Sequence, residues 1–386
     1  MDGLRAWFAW AIVISHVGRL TGADTHSRTL VVVDLLSMYS VCLFRILSGF
    51  VIAHLILEKH EPYLPYLTRR ALRVYPIYLI CLGFGFGASY LHFAAFADRP
   101  WGDVVPQPEL FAMMVATQHS GDLPWHLLAH LGLMQGAISN RVLPASEYLF
   151  LGPAWTLSLE WQFYLIAPFV LLGLRTARGQ ILLALATIVS YAAYRQGWFG
   201  EFFDPSFLPG SVMYFAVGIV TRLTFSRLPE PERFPLAAFL LACGFCLISH
   251  DLVPFVLWFG FVASLRCRKP VAALELALTS RIPVYLGVRT FTTYLVHEPI
   301  IFVVVYLCIK SAHLGMWGTY AVTLLIAPIL THLASIPLHR YVEAPAIAYG
   351  RSLFRESSVA VPVGPRAAPE PRVAKGSTLA VRGTSR

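Results

Sequence analysis

Apolar runs long enough to cross a bilayer recur along almost the whole chain, and no other feature restricts its possible folds so severely. A run of about 18–25 apolar residues spans the hydrocarbon core as a helix. Inside lipid every backbone N–H and C=O must be paired within the protein, which leaves only helices and closed barrels. The alternating apolar–polar pattern of a membrane barrel is missing. The fold class is therefore all-α and polytopic, a bundle of about ten transmembrane helices. Spans are expected at roughly 6–20, 31–57, 74–96, 155–174, 180–196, 208–223, 235–249, 252–266, 284–309 and 318–340. The segment 97–154 breaks the pattern. Its apolar pieces are interrupted by Pro124, Pro144 and polar residues, so it reads either as a re-entrant or interfacial section or as a pair of extra spans. The composition agrees: 57% of residues are hydrophobic and 13% charged, where a soluble domain carries roughly a quarter charged.

Lys and Arg set the orientation, because cytoplasmic loops carry their excess. With the N-terminus inside, the loops 58–73, 175–179, 224–234 and 267–283 place their basic residues in the cytoplasm, together with the C-terminal tail. This holds only if 97–154 crosses the membrane an even number of times or not at all. Both termini are then cytoplasmic, and no cleavable signal is evident. The domain reading is a transmembrane unit over 1–345 and a disordered basic tail over 346–386. Residues 351–386 hold seven Lys/Arg against two Glu, a charge suited to anionic lipid headgroups. No folded basic face accompanies the tail, so nucleic acid is not an expected partner. Of six cysteines, only Cys243 and Cys246 form a CxxC. It lies in an apolar run, reads as two small core residues, and has no second pair to complete a metal site.

Ionisable residues inside apolar spans cost several kcal/mol unless paired or wetted, so each is a functional candidate. Arg5 and His16 share one helix face, roughly 16 Å apart along the axis. With Arg5 at the cytoplasmic surface, His16 sits near the midplane, either as a proton carrier at neutral pH or as a hydrogen-bonded core histidine. Arg70 and Arg73 are i,i+3 neighbours beside Arg69, and Pro76 is expected to bend or restart their helix. The cluster either holds an anion such as phosphate or anchors the span. Glu160, between Trp155 and Tyr164, belongs either to an interfacial aromatic belt or to a buried site. His297 and Glu298 precede Pro299, and a proline-broken helix with ionisable residues often lines a cavity. His339, Arg340 and Glu343 end the last span. Arg45 lies within an apolar span and needs an anion or water, with Glu160, Glu298 and a bound phosphate as candidate partners.

Taken in order, these pieces resemble the acyltransferase 3 family of bacterial membrane acyltransferases, in its stand-alone form. The resemblance rests on "DGLRA" with Asp2, Arg5 and His16; on "LSGF" at Leu47–Phe50; and on R-x-x-R with "YP" at Arg70, Arg73, Tyr75 and Pro76. It continues through Trp155 to Tyr164, where Thr156 replaces a serine, then "YLVHEP" from Tyr294 to Pro299, and "VEAP" from Val342 to Pro345. Arg45 stands where an apolar residue is usual.

The resemblance implies transfer of an acyl group, usually acetyl, from cytoplasmic acyl-CoA to a hydroxyl of an envelope or exported glycan or lipid-linked sugar. It implies a place in the bacterial inner membrane. It also implies His16 as a catalytic residue, Arg70 and Arg73 as essential, and further roles for Arg5 and Glu343. Added to the reading above, Glu160 and Glu343 join His16 as catalytic candidates. Arg5, Arg69, Arg70 and Arg73 are candidates for the CoA phosphates, and Arg45, Trp155 and His297 for substrate. Acyl-CoA is a co-substrate, and no permanently bound cofactor is expected. The expected geometry is a cationic rim beneath a buried imidazole, joined to it by a continuous channel. The rival reading is a transporter or flippase of envelope glycans or lipids, against which stands the absence of repeat symmetry.

Overall fold

The structure, a computed structural model, describes residues 2–101, 108–225, 252–266 and 272–354. The expected span 235–249, the CxxC at Cys243 and Cys246, and the tail from residue 355 lie outside the described residues. Every other expected span falls on a helix except 284–309, which takes in the end of one helix, a turn at 288–289, a second helix and the start of a π-helical segment. In chain order the helices are α1 (Asp2–Thr21), α2 (Arg28–Lys59), α3 (Tyr63–Ala97), α4 (Pro108–Gln118), α5 (Leu123–Leu131), α6 (Ala154–Gly173) and α7 (Ala177–Arg195). They continue with α8 (Leu208–Phe225), α9 (Leu252–Arg266), α10 (Ala272–Thr279), α11 (Arg281–Gly287), α12 (Thr290–Tyr306), α13 (Met316–Leu338) and α14 (Ala344–Ser352). Among the described residues there is no strand. Among the described residues six helices are long and apolar enough to cross a membrane, counting α12 and α13 with their extensions: Arg28–Lys59, Tyr63–Ala97, Ala154–Gly173, Leu208–Phe225, Thr290–Ser311 and Met316–Ser352. α14 carries helical order past residue 345 and packs on α3.

α1 is the hub. It packs against α2, α11, α12 and α13, and a helix enclosed by protein tolerates the charges that one facing lipid cannot. This is why α1 can carry Asp2, Arg5, His16 and Arg19. The opposite case is α7, whose Ile181, Leu182, Leu185, Ile188 and Val189 are exposed, as expected of a helix at the lipid boundary. α2 and α8 approach closely through two glycines. A Cβ at Gly49 would run into the Phe215 carbonyl, and one at Gly218 into that of Ile46. Small residues let helix backbones meet in this way inside a membrane.

Two expectations about proline are corrected. Pro76 does not restart α3, and Pro299 does not break α12; both sit inside continuous helices. The irregular turns come later, as π-helical segments at Leu307–Ser311 and His339–Glu343. Within 97–154, α4 and α5 have 11 and 9 residues. At 1.5 Å per residue neither crosses a core of ~30 Å alone. The chain then runs through turns from residue 132 to Pro153 before α6 begins.

Candidate functional site

Two cavities lie end to end along α1. The larger, about 590 Å³, opens beside the first turn of α1 and is lined by Arg5, Arg69, Arg70, Arg73, Lys59 and Arg351, with Glu160, His339 and Glu343. The smaller, about 120 Å³, is lined by His16, Arg19 and Glu298 within an aromatic wall that includes Phe93, Phe111, Tyr148, Trp155 and Phe302. Three side chains, Ile12, Val41 and Tyr294, line both. The spacing of Arg5 and His16 on one face of α1 is what assigns them to successive cavities.

The arginines of the larger cavity are not equivalent. Arg69 is engaged: its guanidinium pairs with Glu61, donates to the Gly350 carbonyl at 3.3 Å and sits over the Phe354 ring. Arg70 and Arg73 are half-buried and make no ion pair or hydrogen bond among the described residues; Nε of Arg70 is buried without a partner. Arg70 and Arg73 line the cavity with Glu160 and Glu343 but pair with neither, which leaves their planar forks open to an anion. Arg5 lies 3.7 Å from the Asp2 carboxylate, a loose pair within the same turn.

Glu160 and Glu343, the carboxylates named with His16 as catalytic candidates, line the arginine cavity and not that of the histidine. Glu160 accepts a hydrogen bond from Ser48 Oγ at 2.6 Å. Glu343, almost wholly buried, accepts from Thr292 Oγ1 at 2.6 Å and His339 Nδ1 at 2.9 Å. Arg45 pairs with neither Glu160 nor Glu298. It donates to Ser211 Oγ at 2.7 Å and Cys42 Sγ at 3.1 Å, and its guanidinium lies 4.4 Å from the Tyr214 ring centre and 5.8 Å from that of Trp155. Aromatic faces substitute for the expected anion, since a ring's negative face attracts a cation most strongly where water is excluded. Trp155 thus lines the histidine cavity on one side and holds Arg45 on the other.

His297 lines neither cavity. It is fully buried behind His16, with its Nε2 3.0 Å from His16 Nδ1 and the ring centres 5.0 Å apart. The neighbouring Glu298 faces the cavity, where its carboxylate accepts from the Gly152 amide at 2.5 Å. Gly152 is required there, because a Cβ would stand 2.5 Å from Glu298 Oε1. Arg19 donates from Nη2 to both carboxylate oxygens of Asp34, each at 3.0 Å, and Ser15 Oγ adds a hydrogen bond to the same carboxylate at 2.8 Å. The Arg19–Asp34 pair is an ionisable feature of this end that the motifs did not single out, whereas Glu298 was named with His297 as a cavity-lining candidate and does line it. The signal available was an Asp early in a long apolar span facing an Arg late in the preceding one. Residues of 97–154 contribute Leu110, Phe111, Met114, Tyr148, Gly152 and Pro153 to the histidine cavity.

Rim and imidazole line two separate cavities that adjoin at three shared side chains, where a single channel was expected. Ile12 and Val41 supply apolar bulk at the junction, and Tyr294 is fixed there by hydrogen bonds from its hydroxyl to the Pro153 carbonyl at 3.1 Å and with Thr156 Oγ1 at 2.8 Å. The partition is made of side chains on α1, α2 and α12. No group of three or more His, Cys, Asp or Glu among the described residues has the arrangement of a metal site.

A model of the family described as "Acyltransferase domain" matches residues 1–332. No curated protein and no solved structure matches the chain.

Proposed function

Because the chain belongs to the acyltransferase domain family, and is a membrane acyltransferase, we propose that it moves a short acyl group, acetyl by preference, from cytoplasmic acyl-CoA to a hydroxyl of an envelope or exported glycan or lipid-linked sugar. The observation that carries this reading is the pair of cavities meeting at Ile12, Val41 and Tyr294. One offers Arg70 and Arg73, which form no ion pair among the described residues, and the other an imidazole. A transporter gives no reason for that order.

In this reading the CoA phosphates bind Arg70 and Arg73, whose planar forks suit phosphate oxygens. Arg5 adds positive charge deeper in the cavity. Arg69, held by Glu61, shapes the rim. Glu160 and Glu343 order the wall through Ser48, Thr292 and His339. The pantetheine arm crosses the partition when the Ile12 and Val41 side chains move aside, and brings the thioester to His16. The acceptor enters the histidine cavity, whose aromatic wall and few polar groups fit a ring with both apolar faces and hydroxyls. His16 takes the proton of the acceptor hydroxyl as its oxygen attacks the thioester carbonyl. Enclosure within the bundle limits hydrolysis of the thioester by water. The protein then lies in the bacterial inner membrane with both termini cytoplasmic and about ten spans, the arginine cavity facing the cytosol.

The test is a turnover assay on purified protein in nanodiscs. Labelled acetyl-CoA and native envelope membranes are supplied, and free CoA is measured. Acceptor-dependent release that disappears in His16→Ala, with thermal unfolding unchanged, supports the reading. Full turnover in His16→Ala rejects His16 as the base.

A further inference from the structure

Resting on that reading of His16 as the base, we infer that His297 is the positioning residue that keeps His16 in its reactive form. The distance between His16 Nδ1 and His297 Nε2 is 3.0 Å. At that separation one proton must lie between the two nitrogens, since two lone pairs or two N–H groups facing each other would repel. His297 is fully buried and lines neither cavity, so it acts on substrate only through His16. With Nδ1 of His16 engaged, Nε2 is the one nitrogen left for the cavity.

Which ring donates decides whether His16 is a base. If His297 donates, His16 carries its own proton on Nε2 and cannot accept another. If His16 Nδ1–H donates to His297 Nε2, the cavity-facing Nε2 holds a lone pair. Nδ1 of His297 makes no hydrogen bond of full geometry, but the backbone carbonyls of Thr293 and Tyr294 one turn back lie close enough to attract a proton there; a proton on Nδ1 leaves Nε2 as the acceptor, which is the second arrangement. The reaction then balances. The acceptor O–H proton passes to His16 Nε2 while the oxygen bonds to the thioester carbon. The resulting imidazolium donates through Nδ1 to His297 Nε2, a bond strengthened by the new charge. As the C–S bond breaks, His16 Nε2 returns the proton to the leaving sulfur, giving ester and CoA thiol and restoring the neutral pair.

Four variants separate this role from mere packing: His16→Ala, His297→Ala, His297→Gln and His297→Phe, purified in nanodiscs and checked by thermal unfolding. Turnover is read as CoA release from whichever of acetyl-, propionyl- or butyryl-CoA the wild type uses fastest, with native envelope membranes as acceptor. His297→Ala should lower kcat on the order of 100-fold, leaving the KM for acyl-CoA within about twofold. Gln places an amide group where Nε2 stood and should recover at least about tenfold of the loss. Phe fills the volume without an acceptor and should recover none. Equal activity of His297→Gln and His297→Phe, or wild-type turnover in His297→Ala, overturns the positioning role. If His297→Ala fails to fold, the Gln–Phe comparison decides alone. An inactive His16→Ala beside fully active His297 variants refutes this inference only. An active His16→Ala refutes the base reading beneath it.

Discussion

Removing the arginines of the rim one at a time should give unequal losses of donor binding, and the inequality follows from their partners. Arg70 and Arg73 have no ion pair, whereas Arg69 is held by Glu61. A hydrogen bond to a charged group contributes about 1.5–3 kcal/mol. Because both free arginines are half-buried, solvent screening places them near the lower end. About 1.5 kcal/mol corresponds to roughly tenfold in Kd, so Arg70→Ala and Arg73→Ala should each weaken CoA binding by about that factor. Arg69→Ala should change Kd by less than about threefold and lower the unfolding temperature instead, because it removes the closer partner of the half-buried Glu61 and leaves it only Lys59, at 3.8 Å. The assay is titration of CoA itself, which cannot turn over, into protein in nanodiscs at low and high salt. Higher salt screens the phosphate attraction, so the difference between wild type and the Arg70 and Arg73 variants should shrink. Wild-type affinity in both variants, or an equal loss in Arg69→Ala, would refute the assignment of phosphates to Arg70 and Arg73.

Val41→Trp should thicken the partition, lowering kcat at least about tenfold while the Kd for CoA stays unchanged, because Val41 lies beyond the rim; loss of CoA binding would place the donor elsewhere. Glu147 provides a separate check on the chain between α5 and α6. Burial pushes its carboxyl up to about 7 from an ordinary 4.5, against hydrogen bonds from Ser206 and the Phe203 amide that favour the ionised form. The folded state therefore holds this proton more tightly than the unfolded chain. The contribution is fully present below pH ~4.5 and lost as pH rises through ~7, by at most about 3 kcal/mol. Thermal unfolding across that range should show stability falling with pH in the wild type and a flatter profile in Glu147→Gln.

Much of the helical framework was legible in the sequence because a bilayer permits so few backbone solutions. The hydrophobic runs locate α2, α3, α6, α8, α12 and α13, and the 11-residue interval from Arg5 to His16 assigns them to successive cavities. Tertiary contacts were not legible. His16 and His297 are 281 positions apart, and nothing in either motif says that one stands behind the other. His297 and Glu298 are adjacent, and only the rotation of α12 decides which faces the cavity. Arg45 illustrates a different limit. A search for its carboxylate partner fails because its charge rests on two aromatic faces and a serine. Pro76 and Pro299 mark another. A proline removes one backbone hydrogen bond, but a helix enclosed by neighbours survives the loss. The partition between the cavities depends on Ile12 and Val41, two unremarkable aliphatic residues in sequence that become decisive only where α1 and α2 meet.

The most direct test is a structure of the protein with a non-hydrolysable thioether analogue of acetyl-CoA. The phosphates should lie against Arg70 and Arg73, the arm should pass between displaced Ile12 and Val41 side chains, and the acyl carbon should stand within contact of His16 Nε2. An analogue whose acyl end stops inside the arginine cavity, with the partition closed and His16 untouched, would contradict transfer at His16.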